Sequence, residues 1–504
     1  MLARDGAVYI ASRALPGLLG LAATVALSWL LPPDDYGLYG LGIAAIALGN
    51  ALIFEWLSQG LSRWYQSHQE NPRFLATVIA LFAACCLGAL LIALAAHLAL
   101  PAAHAALLWV LLGGICAHGW FELMARIHIC RFHPTRYLAM SLLRGTLVLA
   151  ATVATAWAGG SGVTVLAAAA GATLAAGLLL PARLAALRAD AALARALVAY
   201  GAPFCMTMAF AALTTSINPV LIGALASREA VGGFTLSFTL VQVTLLVIAY
   251  GINAAVWPFA VRAADSGDPA AMRRQLGRGF VFLLGVLLPA AVGLAVLAPT
   301  IARIAINPAY HDAIAQTTPW LSACAVMMAL RIGCLDLAFQ LVRRTGLLVW
   351  VTGGAAALNL ALGVLLIPRF GALGAAVAMT VAVAVSVGHA ALLAARHCPP
   401  DLPLREGTAI ALAAALMGGL LGAMPELPGV SGLALTVLTG GAAYLLALAA
   451  LEQLGLAPML RPILADLLRR APARAALPAP ARAALPAPGR AALPAPARLD
   501  REEA

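Results

Sequence analysis

The chain contains no lysine, and only 10% of its 504 residues are charged. A soluble globular chain carries about 25% charged residues, so this one cannot assemble a water-facing surface of the usual kind. A soluble protein of this length would divide into several domains, each with its own polar skin, and the residues for those skins are absent. Metal and redox spacings are missing too. The eight cysteines (Cys85, Cys86, Cys116, Cys130, Cys205, Cys324, Cys334 and Cys398) form no C-x-x-C pair and sit mostly in apolar segments, where they read as small hydrophobes. No nucleotide-binding loop, metal-ligand spacing or nucleophile elbow appears. The chain therefore offers no metal site, no cofactor site and no catalytic constellation.

What it offers is apolar length. Hydrophobic residues make up 63% of the chain and the mean hydropathy is +0.95. Lipid is the solvent in which helices that are apolar all round make sense. A membrane-spanning helix needs about 20 apolar residues. Such stretches fall at 7–31, 38–59, 75–99, 105–125, 138–158 and 162–181; at 201–225, 231–256, 279–299, 317–340, 346–367 and 372–394; and at 407–424 and 432–455. The first is too long for a signal h-region and lacks an A-x-A-type site, so it is expected to be retained. The expected fold class is all-α, a polytopic membrane protein of about fourteen transmembrane helices.

The net charge is +11, carried by 31 arginines. Nucleic-acid binding is one use of a basic chain, but the placement of the arginines favours topology instead. With the N-terminus inside, 17 arginines fall at Arg4 and in the inner loops, from Arg63 and Arg73 to Arg396 and Arg405. The outer loops hold only Arg228, Arg303 and Arg369, while eight more arginines lie in the tail after 460. That alternation is the positive-inside pattern. It predicts a multi-pass protein of the bacterial inner membrane with both termini cytoplasmic. The all-arginine, Ala/Leu-rich composition fits a GC-rich bacterial genome.

The expected organisation is a six-helix bundle at 1–181, an amphipathic cytoplasmic linker at 182–200, a second six-helix bundle at 201–394, two further spans within 395–460, and a low-complexity cytoplasmic tail at 461–504. In the linker, Arg183, Arg188, Asp190 and Arg195 occupy the face that the apolar residues leave free. From Ala471 the tail repeats APARAALP, and its regular prolines forbid a continuous helix. An internal repeat supports the division. At a shift of 195 residues Asp34 meets Glu229, Gly37 meets Gly232 and Tyr39 meets Phe234. Repeated bundles flanking a midplane site are a common transporter plan.

The opening Arg13-Ala-Leu-Pro16, followed by Leu-Pro-Pro-Asp-Asp-Tyr36-Gly37-Leu-Tyr39, resembles the polysaccharide-biosynthesis flippases of the multidrug/oligosaccharidyl-lipid/polysaccharide exporter superfamily. The span count, the halfway break and the short loops extend the resemblance over about residues 1–455. It implies two six-helix bundles around a central cavity, two extra C-terminal helices, and a substrate. That substrate is an oligosaccharide on undecaprenyl pyrophosphate, moved from the cytoplasmic to the periplasmic leaflet. Its partners would be the bilayer and polysaccharide polymerase machinery, with no nucleic acid.

Ionisable residues inside spans are costly and so are functional candidates. Arg13, Arg144 and Arg331 are the three intramembrane arginines. Each is a candidate partner for a pyrophosphate, because arginine stays charged and presents a fork to phosphate oxygens. Arg13 and Arg144 are also close enough to a membrane face to snorkel. Asp336 lies five residues after Arg331, an offset of about 140° on an α-helix, which places the two on different faces. Glu55, Gln59 and Arg63 form one i, i+4, i+8 stripe, and His118, Glu122 and Arg126 form another. Glu55, Glu122, His118 and Asp336 are candidates for coupling transport to H+ or Na+; ion-pair ladders are the plainer explanation of the stripes. Asn218, Asn253 and Asn359 either contact sugar or join helices. Pro16, Pro203, Pro219 and Pro289 are expected to kink helices.

Three other readings compete. A drug or cation antiporter of the same superfamily would favour carboxylates over arginines and twelve spans over fourteen. A flippase for the peptidoglycan precursor would need the same cations. A membrane enzyme of glycolipid assembly would need a large outer loop, and the longest, at about 299–316, offers only His311 and Asp312.

Overall fold

In hydrocarbon every backbone N–H and C=O must be satisfied within the protein, which an apolar chain achieves most simply as helix. The computed structural model describes residues 2–68, 71–99, 101, 105–180, 188–265, 268–342, 346–397 and 401–454, and among them there is no strand. The helices are α1 (Leu2–Leu30), α2 (Pro33–Ile53), α3 (Glu55–His68), α4 (Pro72–Ala99), α5 (Ala105–Cys130), α6 (Pro134–Trp157) and α7 (Gly162–Leu179). They continue as α8 (Ala191–Thr215), α9 (Ile217–Leu225), α10 (Arg228–Val241), α11 (Val247–Asp265), α12 (Pro269–Ala305), α13 (His311–Leu330) and α14 (Leu337–Leu341). The last three are α15 (Gly346–His397), α16 (Leu404–Ala423) and α17 (Gly429–Gln453). Two π-helical turns interrupt the series, Gln242–Leu246 between α10 and α11 and Arg331–Asp336 between α13 and α14.

Eleven helical stretches are long and apolar enough to cross a membrane. The 52-residue α15 is two spans in one, because Gly371 adopts φ 54°, ψ −128° and folds it there. Only a residue without Cβ enters that region readily. Adding α1, whose Ala14–Leu30 stretch is apolar, and the α8–α9 pair brings the passes among the described residues to about fourteen. The polytopic all-α fold read from hydropathy is what the structure contains.

Local chemistry sets the ends and breaks. Proline at the first helical position starts α2, α6 and α12, where its missing N–H costs nothing. Asp190 caps α8 by accepting from the N–H groups of Ala192 and Leu193 at 2.8 and 3.3 Å. Asp268 caps α12 through the N–H of Ala270 at 2.8 Å, and these backbone donors hold its carboxyl below the usual carboxylate range. Pro219 sits in the first turn of α9, three residues after the break at Ser216, as expected for a residue that cannot donate backward. Pro16 and Pro289 lie inside α1 and α12, while the side chain of Pro203 lies outside the described residues.

The linker differs from its expected extent. Residues 181–187 lie outside the described residues, and from Ala191 the segment runs unbroken into the seventh span. Its first turns lie against α3, with Leu197 fully buried beside Gly60. The tail at 461–504 also lies outside the described residues. At 37 residues, or about 55 Å, α12 outruns a hydrocarbon core of about 30 Å. It begins ten residues before its expected start at 279, so Arg273, Arg274 and Arg278 ride on helix rather than loop.

The buried cores are unevenly distributed. One, with Phe54, Leu57, Phe74, Phe121 and Met124, centres on α3–α5 and the break before α3, and Met140 of α6, Ala176 of α7 and Leu197 of α8 join it. Another joins Leu27 and Tyr36 of the first repeat to Leu236, Ala298 and Tyr310 beyond the linker. Large apolar side chains also point outward, among them Leu91, Ile92 and Leu98 of α4 and Leu438, Leu445 and Leu446 of α17. Such faces suit lipid contact.

Candidate functional site

Among the described residues, ion pairs well inside spans fall at two places. The first lies among α1, α3, α5 and α6. Helical spacing puts His118, Glu122 and Arg126 on one face of α5, and Glu55 and Gln59 on one face of α3. The two stripes meet: Arg126 Nη2 lies 3.6 Å from Glu55 Oε1, which also accepts from Gln59 Nε2 at 2.8 Å. Glu122 turns the other way, to Arg144 of α6, with Nη1 to Oε1 at 3.5 Å. The Arg144 guanidinium also stands 4.6 Å from the Phe121 ring centroid, a cation–π distance.

Arg144 and His118 line a cavity of about 190 Å³ whose other walls include Pro16 and Gly20 of α1, Gly114 of α5 and Thr173 of α7. Glu122 occupies one edge of the Arg144 fork, and about a third of that side chain is exposed. A guanidinium so placed can take a second anion. Arg13 lies one turn earlier on α1, and its side chain lies outside the described residues.

The second place is the π turn. Arg331 and Asp336 are buried, each side chain 9% exposed. The sequence reading placed them about 140° apart on separate faces, and the structure corrects it: Arg331 Nε lies 3.4 Å from Asp336 Oδ2. The offset held for an α-helix, but these six residues form a π-helical turn. A π turn closes i→i+5 bonds and so stacks residues five apart. Arg331 Nη1 also donates to Ser386 Oγ of α15 at 2.9 Å, and Ser386 donates to the Val383 carbonyl at 2.7 Å. Arg331 Nε and Asp336 Oδ1 have no hydrogen-bond partner among the described residues. Within the turn, Asn253 Oδ1 of α11 fills the space where Gly333 would carry a Cβ.

The asparagines join helices. Asn359 Nδ2 of α15 donates to Asn218 Oδ1 of α9 and to the Thr214 carbonyl, both at 3.3 Å, and both side chains are fully buried. The turn that carries the repeat closes on its own counterpart. Arg228 Nη1 pairs with Asp34 Oδ2 at 3.0 Å, and Tyr36 packs on Tyr310 with centroids 5.5 Å apart. The Arg228 carbonyl occupies the place a Cβ on Gly37 would need. Asp35, which sequence reasoning passed over, accepts from the Gly162 N–H at 2.8 Å. His311 contacts the Ile306 carbonyl through Nε2 at 2.9 Å, while Asp312 lines a separate cavity of about 400 Å³ with Glu229, Tyr310 and Gln316. Ser386 and Gly333 also went unread, since neither residue type stands out in a chain rich in small residues.

The family described as "Polysaccharide biosynthesis protein" matches residues 26–315, more than half of the chain. The chain belongs to this family. That is the family its opening turn resembles. Among solved structures, this family member is similar to the lipid II flippase MurJ in an inward closed conformation, with a TM-score of 0.73 at 13% identity, over 88% of this chain and 98% of that one. It is similar to an inward-facing multidrug resistance MATE family transporter of the MOP superfamily, with a TM-score of 0.60 at 14% identity, over 78% and 98%. A MOP superfamily transporter from Pyrococcus furiosus gives 0.56 at 14% identity, over 79% and 95%. No curated protein matches the chain. At these identities the family member shares the fold of the flippase and the transporters.

Proposed function

We propose that the protein is a flippase that moves oligosaccharide linked to undecaprenyl pyrophosphate from the cytoplasmic to the periplasmic leaflet of the bacterial inner membrane. The product would feed lipopolysaccharide, capsule or exopolysaccharide synthesis, with a polymerase as partner. Both termini are cytoplasmic in this reading, and the two bundles alternate access to a central cavity. The observation that carries it is Arg144, a guanidinium inside a span that faces a cavity with one edge of its fork free. Arg13 is a further pyrophosphate partner in the proposal, whereas Arg331, buried and held by Asp336 and Ser386, is assigned to coupling rather than to the headgroup. The tight turn at Gly37 and Arg228 serves as the seal that opens when the headgroup leaves. Transport draws on an H+ or Na+ gradient through Glu55, Glu122, His118 or Asp336. Nothing in this scheme requires catalysis by the protein itself.

A second substrate deserves testing because the fold is shared with a lipid II flippase: the peptidoglycan precursor presents the same pyrophosphate. The experiment compares a deletion strain with its parent for surface polysaccharide and for lipid-linked intermediates. Loss of polymer with lipid-linked oligosaccharide held on the cytoplasmic leaflet, restored by the intact gene but not by Arg144→Ala, supports the proposal. Accumulated peptidoglycan precursor with normal polysaccharide moves the substrate to cell-wall synthesis. New drug sensitivity with neither intermediate makes it a multidrug antiporter.

A further inference from the structure

We propose that Asp336 is a proton-binding site and that the π turn around it is the element its protonation switches. The role in transport rests on the flippase reading above; the site itself rests on geometry. Two opposite charges lie buried at 3.4 Å in a span, where an ionised side chain is costly to insert. They meet only because the turn is π-helical. In an α-helix the same residues would stand about 140° apart. The ion pair and the π turn therefore support each other. Protonating Asp336 removes the anion that holds Arg331, leaving Ser386 as the remaining hydrogen-bond partner of the guanidinium. The turn is then free to take α geometry, which rotates α14 relative to α13.

The ion is a proton rather than sodium. Sodium needs several oxygen ligands, and the Arg331 guanidinium beside this carboxylate repels a second cation. A proton needs one lone pair, and among the described residues Asp336 Oδ1 has no hydrogen-bond partner. Among the described residues, Arg331 is the charged group paired with Asp336. Ser386 faces the pair from α15 and Cys324 of α13 neighbours Arg331. Asn253 of α11 and Leu283 of α12 close on Gly333 within the turn. The Asn253 contact also ties this π turn to the helix that follows the other one, Gln242–Leu246, so a change of register in one is felt by both. On the approach to the turn, α13 buries two hydroxyls, Thr318 and Ser322, that have no hydrogen-bond partner among the described residues. Thr317, beside them, lines the cavity that holds Glu229 and Asp312.

The test uses the full chain in lipid nanodiscs, taken from pH 8 to pH 5. Infrared difference spectra should show a protonated-carboxyl band that Asp336→Asn removes and Glu55→Gln leaves in place. Amide exchange across 331–341, corrected for the intrinsic effect of pH, should change on acidification in the wild type. In Asp336→Asn it should hold the acid pattern at both pH values. Should the asparagine variant fail to fold, Asp336→Glu must retain a titrating band and pH-dependent exchange. A band that survives Asp336→Asn, or wild-type exchange across 331–341 that ignores pH, overturns the proposal. Neither readout needs a substrate. A titrating Asp336 in a protein that moves no lipid-linked glycan removes the flippase reading and leaves the site, whereas a working flippase without the titration removes the site.

Discussion

Arg144 and Arg331 are the same residue type in two spans, yet their surroundings invert one another. Arg144 is about a third exposed, faces a cavity, stacks on Phe121 and shares only one edge with Glu122. Arg331 is buried, lines neither of the two cavities described, and is held by an aspartate of its own turn and a serine of the next helix. A cation that must receive and release a ligand needs the first environment. The second suits a charge whose partner is built in. The contrast separates binding from coupling, and it can be attacked through either residue.

The largest effect is expected at Arg331. Replacing it with alanine leaves Asp336 buried without its counter-ion, which should cost about 3–5 kcal/mol of stability. Thermal unfolding of the purified variant measures this. Replacing both partners, as Arg331→Met with Asp336→Leu, should restore most of that loss, because well-packed apolar pairs often match a buried ion pair. If the double variant stays as unstable as the single one, the pair is not what stabilises the turn. Ser386→Ala comes next. It removes a 2.9 Å hydrogen bond to a charged group, a loss of about 1.5–3 kcal/mol by the same measurement.

The fold was legible in the sequence because lipid imposes a simple rule. An apolar run of the right length crosses as helix, and arginine placement counts the crossings. Gly371 shows where that rule stops short of detail: 346–367 and 372–394 were separable by hydropathy, but the positive φ that folds one helix into two is not. The segment from Ala191 is hard to read for a related reason. An amphipathic pattern describes a face, and it cannot tell a surface helix from the first turns of a span packed on α3. At the candidate sites, the stripes on α3 and α5 were readable, because i, i+4 spacing is a property of the α-helix. The Arg331–Asp336 pair was read wrongly for the same reason. Spacing assumes a helix type, and the sequence RIGCLD carries no signal that its turn is π. Ser386, fifty-five residues away in the chain, could only be found in three dimensions.

Arg144→Ala should reverse the order of effects. Its ion pair with Glu122 is partly solvated, so the stability loss should stay near 0–1 kcal/mol, with about 0.5–1 kcal/mol more from the lost contact with Phe121. Delivery of lipid-linked glycan to the outer leaflet should nevertheless fail, measured by the surface polymer recovered in the deletion strain. Arg144→Lys should recover the charge without the fork, and so restore less than the wild type. A stability loss as large as that of Arg331→Ala would erase the distinction between the two arginines.

The smallest effect sharpens the comparison most. Glu55 and Arg126 join the two stripes at 3.6 Å, with side chains about a fifth to a quarter exposed. If this pair is a ladder rung, a double-mutant cycle with Glu55→Gln and Arg126→Gln should give a coupling of about 0.2–1 kcal/mol in unfolding, and transport under an imposed proton or sodium gradient should persist in Glu55→Gln. If Glu55 instead carries the coupling ion, transport collapses in that single variant while the stability cycle stays small. The two measurements then diverge, and the coupling site moves from the π turn of the second repeat to the first, beside the cavity that Arg144 lines.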